Sequence, residues 1–170
     1  MYTIKFRWLI GLLISVGCLS SCNYGFKDVS PIPVEVKNFR VNYLTNKAQY
    51  VNTQLSPELT EKVKQKIRNT TRLQQVNTDD ADYDVSGYIS QYYTTTISIT
   101  GTNASGNRLN VGFHLQFKNK FDDKKNLETD IARSYDFPAS QSLTQAESQL
   151  TAKIVQDITD DIFNKIFSNW

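Results

Sequence analysis

The sequence predicts an α+β fold in which two helices cover the apolar face of an antiparallel meander. Three observations carry this. Residues 83–99, 108–118 and 127–137 place apolar side chains at strand spacing, with short polar turns between them. Ser56-Pro57 and Ser142-x-x-Gln145 are helix starts, with Thr144-x-x-Glu147 a second option for the latter. Leu59, Val63 and Ile67 follow the first start, and Leu150, Ile154, Ile158, Ile162 and Ile166 follow the second, as stripes of helical spacing.

The chain opens on Lys5 and Arg7, an apolar run from Trp8 to Leu19, and then Ser20-Ser21-Cys22. Cations, a run too short to span a bilayer and small residues make a secretory signal over residues 1–21. Leu19-Ser-Ser-Cys22 resembles the bacterial lipobox, which places cleavage before Cys22 and acyl chains on it. Cys18 is the competing site, but it lacks a leucine three places before it. The other alternative is an ordinary cleaved signal followed by a chance cysteine. A single acyl chain binds membranes marginally, whereas two or three hold firmly at roughly 0.8 kcal/mol per buried CH₂.

Residues 22–33, with Pro31 and Pro33, read as a lipidated tether, and residues 34–170 as one domain. Residues 34–43 read as a strand. Val34 and Val36 share one face and Phe39, Val41 and Tyr43 the other, which implies a bend near Lys37-Asn38. Residues 44–55 have no period and read as a loop. Ser56 serves as N-cap with Pro57 in the first turn, and Asn69-Thr70-Thr71 ends that helix. Residues 73–76 allow a short strand.

Tyr83, Val85, Gly87, Ile89, Gln91, Tyr93, Thr95, Ile97 and Ile99 then define one face of a long strand. A turn at Gly101–Asn107 leads to a second, with Leu109, Val111, Phe113, Leu115 and Phe117 inward. A turn at Phe121–Asn126 leads to a third, with Leu127, Ile131, Tyr135 and Phe137. Pro138 stops it, and a helix follows over about residues 143–167. Its four-residue isoleucine row drifts about 40° per step, and Val155, Phe163 and Phe167 widen the apolar face. The last turn therefore needs cover from the sheet edge or from a partner.

Cleavage before Cys22 removes 21 of the 170 residues and leaves 149, enough for one domain with a real core. Loss of Lys5 and Arg7 reduces the 19 cations to 17, equal to the 17 acids. That balance has no nucleic-acid footprint. Both cysteines lie at or before position 22, so the domain offers no thiol for a disulfide, a metal or catalysis.

Chemistry is sparse. His114 is the one histidine and falls on the polar face of a strand, so no nucleophile–base pair is expected and the chain reads as a non-enzyme. Asp80-x-Asp82-x-Asp84 starts like a calcium loop but lacks the in-step glycine and the closing glutamate, so no metal or cofactor is expected. Arg108 borders one hairpin tip, and Lys118, Lys120, Lys124 and Lys125 surround the tip at the opposite end. These cations could pair with lipid phosphates, or could simply solvate turns. Tyr88, Tyr92, Tyr93 and Thr94-Thr95-Thr96 could offer a surface to a partner, or serve only as strand formers.

Five stretches, in order, carry a family resemblance: Phe39-Arg-Val-Asn-Tyr-Leu-Thr-Asn46, Leu55-Ser-Pro-Glu-Leu-Thr60, Gly87-Tyr-Ile-Ser-Gln-Tyr92, Arg133-Ser-Tyr-Asp-Phe137 and Asp161-Ile-Phe-Asn-Lys-Ile-Phe-Ser-Asn-Trp170. Together with the lipobox they resemble the lipopolysaccharide (LPS)-assembly lipoprotein family, LptE, in its Bacteroidota form. The resemblance implies a two-layer α/β sandwich, with two helices on one face of a four-stranded mixed, mostly antiparallel sheet. It implies an outer-membrane lipoprotein, on the periplasmic side and in the barrel lumen. Such a protein plugs an LptD-type LPS-translocon β-barrel, assists its assembly and contacts LPS. The family has no active-site motif to transfer, so Arg108, Lys118, Lys120, Lys124 and Lys125 stand as LPS-contact candidates by composition. The rival reading is a periplasm-facing lipoprotein that carries an amphipathic ligand between helices and sheet.

Overall fold

The computed structural model describes residues 32–98 and 105–168. The signal segment, Cys18, Cys22, most of the tether, Ile99, the start of the Gly101–Asn107 turn and Trp170 lie outside the described residues. In chain order the elements are β1 (Asn38–Val41), β2 (Thr45–Asn46), α1 (Leu55–Thr70), β3 (Gln74–Gln75), β4 (Tyr83–Ser98), β5 (Ser105–Asn119), β6 (Leu127–Pro138) and α2 (Leu143–Phe167). A single 3-10 turn, Asp123–Lys125, joins β5 to β6.

The sheet order is β3-β1-β4-β5-β6, and β2 pairs with β4 further along the same edge as β1. β1, β2 and β3 run parallel to their neighbours, while β4, β5 and β6 form the antiparallel meander. Parallel β1 and β3 require a crossover, and α1 supplies it. The fold is therefore the expected two-layer α+β arrangement, with six strands where four were expected.

The extra strands have a local cause. Residues 34–43 do not form one strand. Val36 N–H closes a turn onto the Pro33 carbonyl at 3.0 Å, so Val34 points outward, 84% exposed, while Val36 is buried. Val36 and Phe39 are both buried, so the phase change expected near Lys37-Asn38 is present. Beyond β1, Tyr43 faces solvent and Leu44 turns into the core, where its N–H donates to Thr60 Oγ1 of α1. Pairing with β4 then resumes as β2, inside the stretch read as a loop.

β4 contains a second departure. Its face is correct through Tyr83, Val85 and Ile89, all buried. The register then slips: Ile89 pairs with Phe113, but Gln91 pairs with Gly112. Ser90 is the extra residue of a β-bulge, and one added residue exchanges the two faces. Tyr92 is consequently 2% exposed and Tyr93 50%, the reverse of the unbroken alternation. The bulge fits because Gly112 has no side chain, since a Cβ there would lie 2.9 Å from Ser90 Oγ.

α1 begins two residues earlier than expected, at Leu55. Its cap is not Ser56, which is buried in the first turn. Asn52 Oδ1 instead accepts from the N–H groups of Gln54 and Leu55 at 3.0 and 3.3 Å. Pro57 fits because first-turn N–H groups have no helical acceptor. α2 has the predicted capping box: Gln145 N–H donates to Ser142 Oγ, and Ser142 N–H to Gln145 Oε1.

Leu59, Val63 and Ile67 of α1, with Ile154, Ile158, Ile162 and Ile166 of α2, pack on Phe39, Val85, Ile89, Val111, Phe113 and Leu115. Each such side chain, when fully buried, stabilises the fold by about 1.5–3 kcal/mol. The last turn of α2 finds its cover within the chain. Phe163 and Phe167 are buried, the Phe167 ring lies 6.2 Å from that of Tyr83, and Lys66 Nζ sits 5.4 Å above Phe163.

The two helices run side by side in the same direction. Asn52, before α1, bonds Glu147 in the first turns of α2, and Lys66, late in α1, pairs with Asp160 late in α2 at 2.9 Å. Both helices therefore end at one pole. Residues 32–37, Asp82 and the β5–β6 turn gather there too: Arg72 bonds the Ile32 and Pro33 carbonyls, and Lys120 N–H donates to the Asp82 carbonyl.

The inner face of β4 carries Gly87 beneath the Phe113 ring. A Cβ there would lie 2.3 Å from the His114 carbonyl oxygen and 2.6 Å from the Phe113 ring. Gly87→Ala is therefore expected to destabilise the domain by about 2–3 kcal/mol through overpacking. The measurement is a lower urea midpoint with an unchanged m-value.

Candidate functional site

The helices cover one sheet face, and the other is a continuous polar surface. Strand alternation brings Arg40, Asp84, Tyr88, Arg108, Asn110, His114, Gln116, Lys118, Glu128, Asp130, Ser134 and Asp136 onto it. Arg40 donates to Asp84 at 2.8 and 3.2 Å and also holds Asp79, while Asn42 donates to Asp84 at 2.7 Å. Arg108 forms two parallel bonds to Asp136, at 2.6 and 2.9 Å. Ser134 donates to Asn110, which donates in turn to Thr95.

The centre of this face is one row across four strands. Lys47, just after β2, lies 4.1 Å above the Tyr88 ring, and Tyr88 packs on His114 at 4.9 Å. His114 then contacts β6 through both nitrogens: Nδ1 to Asp130 at 2.8 Å and Nε2 to Glu128 at 3.0 Å. Imidazole between two carboxylates favours the doubly protonated ring, a structural cation and not a catalytic base. Tyr88 and His114 thus belong to one built surface, while Tyr92 lies on the opposite face.

Arg108 and Lys120, among the LPS-contact candidates, are engaged with carboxylates. Arg108 holds Asp136, and Lys120 Nζ meets Asp80 at 2.7 Å. Lys118 stands opposite Asp84 in the β4–β5 register, and Asp84 already carries Arg40. Lys124 is exposed and Lys125 half-buried on the 3-10 turn, whose N-cap is Asp122. The structure therefore gathers Lys118, Lys120, Lys124 and Lys125 at one pole, interleaved with Asp79, Asp80, Asp122 and Asp123. Arg108 lies toward the other pole.

Asp80, Asp82 and Asp84 do not converge. Lys120 takes Asp80, Arg40 takes Asp84, and Asp82 Oδ2 accepts the N–H groups of Lys37 and Asn38 at 2.8 and 3.1 Å. Among the described residues no His, Cys, Asp and Glu cluster suits a metal ion.

Sequence reasoning offered Glu147 only as a capping residue and missed its tertiary role. It accepts from Tyr92 at 2.9 Å, Asn52 at 3.0 Å and Tyr50 at 3.2 Å, and the Tyr50 and Tyr92 rings stack at 5.6 Å. Burial pushes the Tyr92 phenol above its usual range, so it stays protonated and donates. This node joins the loop before α1, the bulged part of β4 and α2. An open cleft of about 310 Å³ lies beside it. No linear signal marks it, because the residues come from three distant segments.

The hydrogen bond to Asp130, opposed by desolvation and reinforced by Glu128, raises the His114 pKa above 6.5. Raised in the folded state, it adds stability that is complete below the unfolded value near 6.5 and is lost as pH rises through the folded value. NMR titration should therefore give a His114 pKa above 6.5, and Asp130→Asn should lower it. His114→Gln should flatten the fall in unfolding midpoint above neutral pH.

The comparisons with known proteins agree with this architecture. No curated protein sequence matches the chain. Among solved structures, the hypothetical protein CT253 from Chlamydia trachomatis aligns with a TM-score of 0.50 at 8% identity, covering 79% of this chain and 99% of that one. The PelC dodecamer protein from Paraburkholderia phytofirmans aligns at 0.50 and 7% identity, covering 82% and 94%. A minor lipoprotein from Acinetobacter baumannii aligns at 0.48 and 16% identity, covering 79% and 98%. At these identities the likeness concerns the fold. A family profile described as lipopolysaccharide-assembly, LptE, matches residues 36–166, which takes in every strand and nearly all of both helices. This non-enzymatic family of LPS-assembly lipoproteins is the one the sequence resembles, and the chain belongs to it.

Proposed function

We propose that the protein is an outer-membrane lipoprotein, acylated at Cys22, that plugs an LptD-type β-barrel, assists its assembly and helps LPS reach the cell surface. The observation that carries this reading is the open sheet face. It is polar and largely cross-paired, with Arg40, Arg108 and His114 bonded to Asp84, Asp136, Glu128 and Asp130. The lumen of a large barrel is polar, so such a face can enter it without stranding an unpaired charge. The mature charge balance of 17 cations and 17 acids adds little long-range repulsion.

The carrier reading lacks comparable support. Phe39, Phe113, Leu115, Ile154 and Ile158 fill the space between helices and sheet.

LPS contact falls to the cations at the β5–β6 pole. The Lys120–Asp80 pair is exposed and screened by solvent, so a phosphate can displace the aspartate at small cost. Lys118 and Lys124 can reach a phosphate without giving up an ion pair among the described residues. These ammonium groups can replace divalent ions that bridge LPS phosphates.

Affinity purification from outer membranes in mild detergent should recover a β-barrel partner, and recovery of the lipoprotein alone would refute the plug. Arg108→Glu, which sets a second carboxylate beside Asp136, should lower barrel recovery several-fold with little change in thermal midpoint. Cys22→Ser should abolish palmitate labelling, whereas Cys18→Ser should retain it. Replacing Lys118, Lys120, Lys124 and Lys125 with serine should weaken LPS pull-down; unchanged binding would remove that cluster from the mechanism.

A further inference from the structure

The pole where the helices end also fixes where the chain leaves the body. Arg72 Nη2 donates to the carbonyls of Ile32 and Pro33 at 3.1 and 2.6 Å, and Ile32 packs against the core. The ten peptide steps from Cys22 to Ile32 span at most about 36 Å when fully extended. The 25 residues of α2 alone are about 37 Å long. A chain anchored at Cys22 therefore presents this pole, or the flank beside it, to the bilayer and holds the pole where the helices begin away from it.

The same pole exposes two large apolar side chains at turn tips. Val34 tops the Pro33–Val36 turn at 84% exposure, and Phe121 tops the β5–β6 turn at 50%. The two turns are close, because Lys37 N–H and Lys120 N–H both donate to Asp82. Most acids there already face protein donors. Asp79 and Asp84 face Arg40, and Asp80 faces Lys120. Asp122 accepts from Lys124 N–H, and Asp123 from Asn126. Lys37, Arg68 and Lys124 are exposed around the two tips, and Glu35 is the one further acid among the described residues of the Pro33–Val36 turn.

We propose that this pole rests on the anionic phospholipid surface of the membrane. Val34 and Phe121 dip into the headgroup layer, and Lys37, Arg68 and Lys124 face its phosphates. The inference rests on acylation at Cys22. It adds a second, protein-borne membrane contact, in the way that basic and apolar residues reinforce a lipid anchor. It also sets the polar sheet face roughly upright on the membrane.

The test uses the full acylated lipoprotein, with its acyl chains confirmed by mass spectrometry. It is reconstituted into phosphatidylethanolamine–phosphatidylglycerol vesicles carrying bromine on the acyl chains near the headgroups. Trp8 leaves with the signal, so Trp170→Phe removes the remaining tryptophan. Phe121→Trp in that background should be quenched several-fold more than Tyr50→Trp, a reporter at the opposite pole. Equal quenching of the two on acylated protein overturns the docked pole and leaves the anchor intact. Protein that lacks acyl chains overturns both. Replacing phosphatidylglycerol with phosphatidylcholine, or Lys37, Arg68 and Lys124 with serine, should lower the Phe121→Trp quenching by at least half. No change in either arm overturns the anionic contact.

Discussion

The buried carboxylate of Asp82 is the contact on which the parallel half of the sheet depends. β1 has only four residues and three paired positions on β4, so its ladder alone is short. Asp82 lengthens it from outside. It accepts the N–H groups of Lys37 and Asn38, and its own N–H donates to Asn38 Oδ1 at 2.8 Å. Hydrogen bonds to a charged group contribute about 1.5–3 kcal/mol each, comparable to burying a leucine. The Asp82 carbonyl also accepts from Lys120, so one residue ties together the entry of β1, the start of β4 and the exit of β5. Two residues on, Asp84 repeats the linkage on the outer face through Arg40 and Asn42. The aspartates that imitate a metal loop in the sequence therefore fasten strands.

The Ser90 bulge decides what each face of β4 offers. It sends Tyr92 inward, where its hydroxyl reaches Glu147 and its ring meets Tyr50. It leaves Tyr93 and Thr95 outward with Arg108 and Asn110. Without it, Gln91 and Tyr93 would face the core and Tyr92 the open side. The bulge was not legible, because Ser90-Gln91-Tyr92-Tyr93 satisfies either phase and the enabling glycine, Gly112, lies on another strand. By contrast, β5 was legible residue by residue, since five large apolar residues alternate there without interruption. Both helical stripes were equally plain. The N-cap of α1 was misread because Ser56-Pro57 is a valid start by local chemistry. The helix starts earlier, with Gln54 at the N-cap, where Asn52 accepts from Gln54 and Leu55 and also reaches Glu147, a tertiary bond that no window of sequence contains.

The candidate site was less legible than the fold, for a related reason. Lysines at 118, 120, 124 and 125 read as a basic turn because they are neighbours in sequence. Their counter-charges arrive from elsewhere: Asp80 from the loop before β4, and Asp84, with its own arginine, from β4 itself. Arg108 likewise reads as a free cation until β6 sets Asp136 beside it. Cross-strand pairing is long-range by nature, so a linear scan counts cations and misses what neutralises them.

An open sheet face normally carries the solubility of a two-layer protein, and this one does so mainly with paired groups, Lys118 aside. That choice has a consequence for partners. A lone lysine or aspartate must shed its water when buried and find a new counter-charge, at a cost of several kcal/mol. A group already bonded to its strand neighbour retains that bond, so a polar wall closing over the face removes water mainly from the rim of each pair. Such a surface suits enclosure by a polar partner and gives little reason to aggregate with its own kind. It also divides the labour of the molecule. The helical face is spent on the core, the sheet face is prepared for a polar wall, and the tethered pole is left with the exposed apolar tips at Val34 and Phe121. Under the proposed membrane contact, rotation about the membrane normal is the freedom that remains, and that is the motion that would turn a flat polar face toward the curved wall of the proposed barrel.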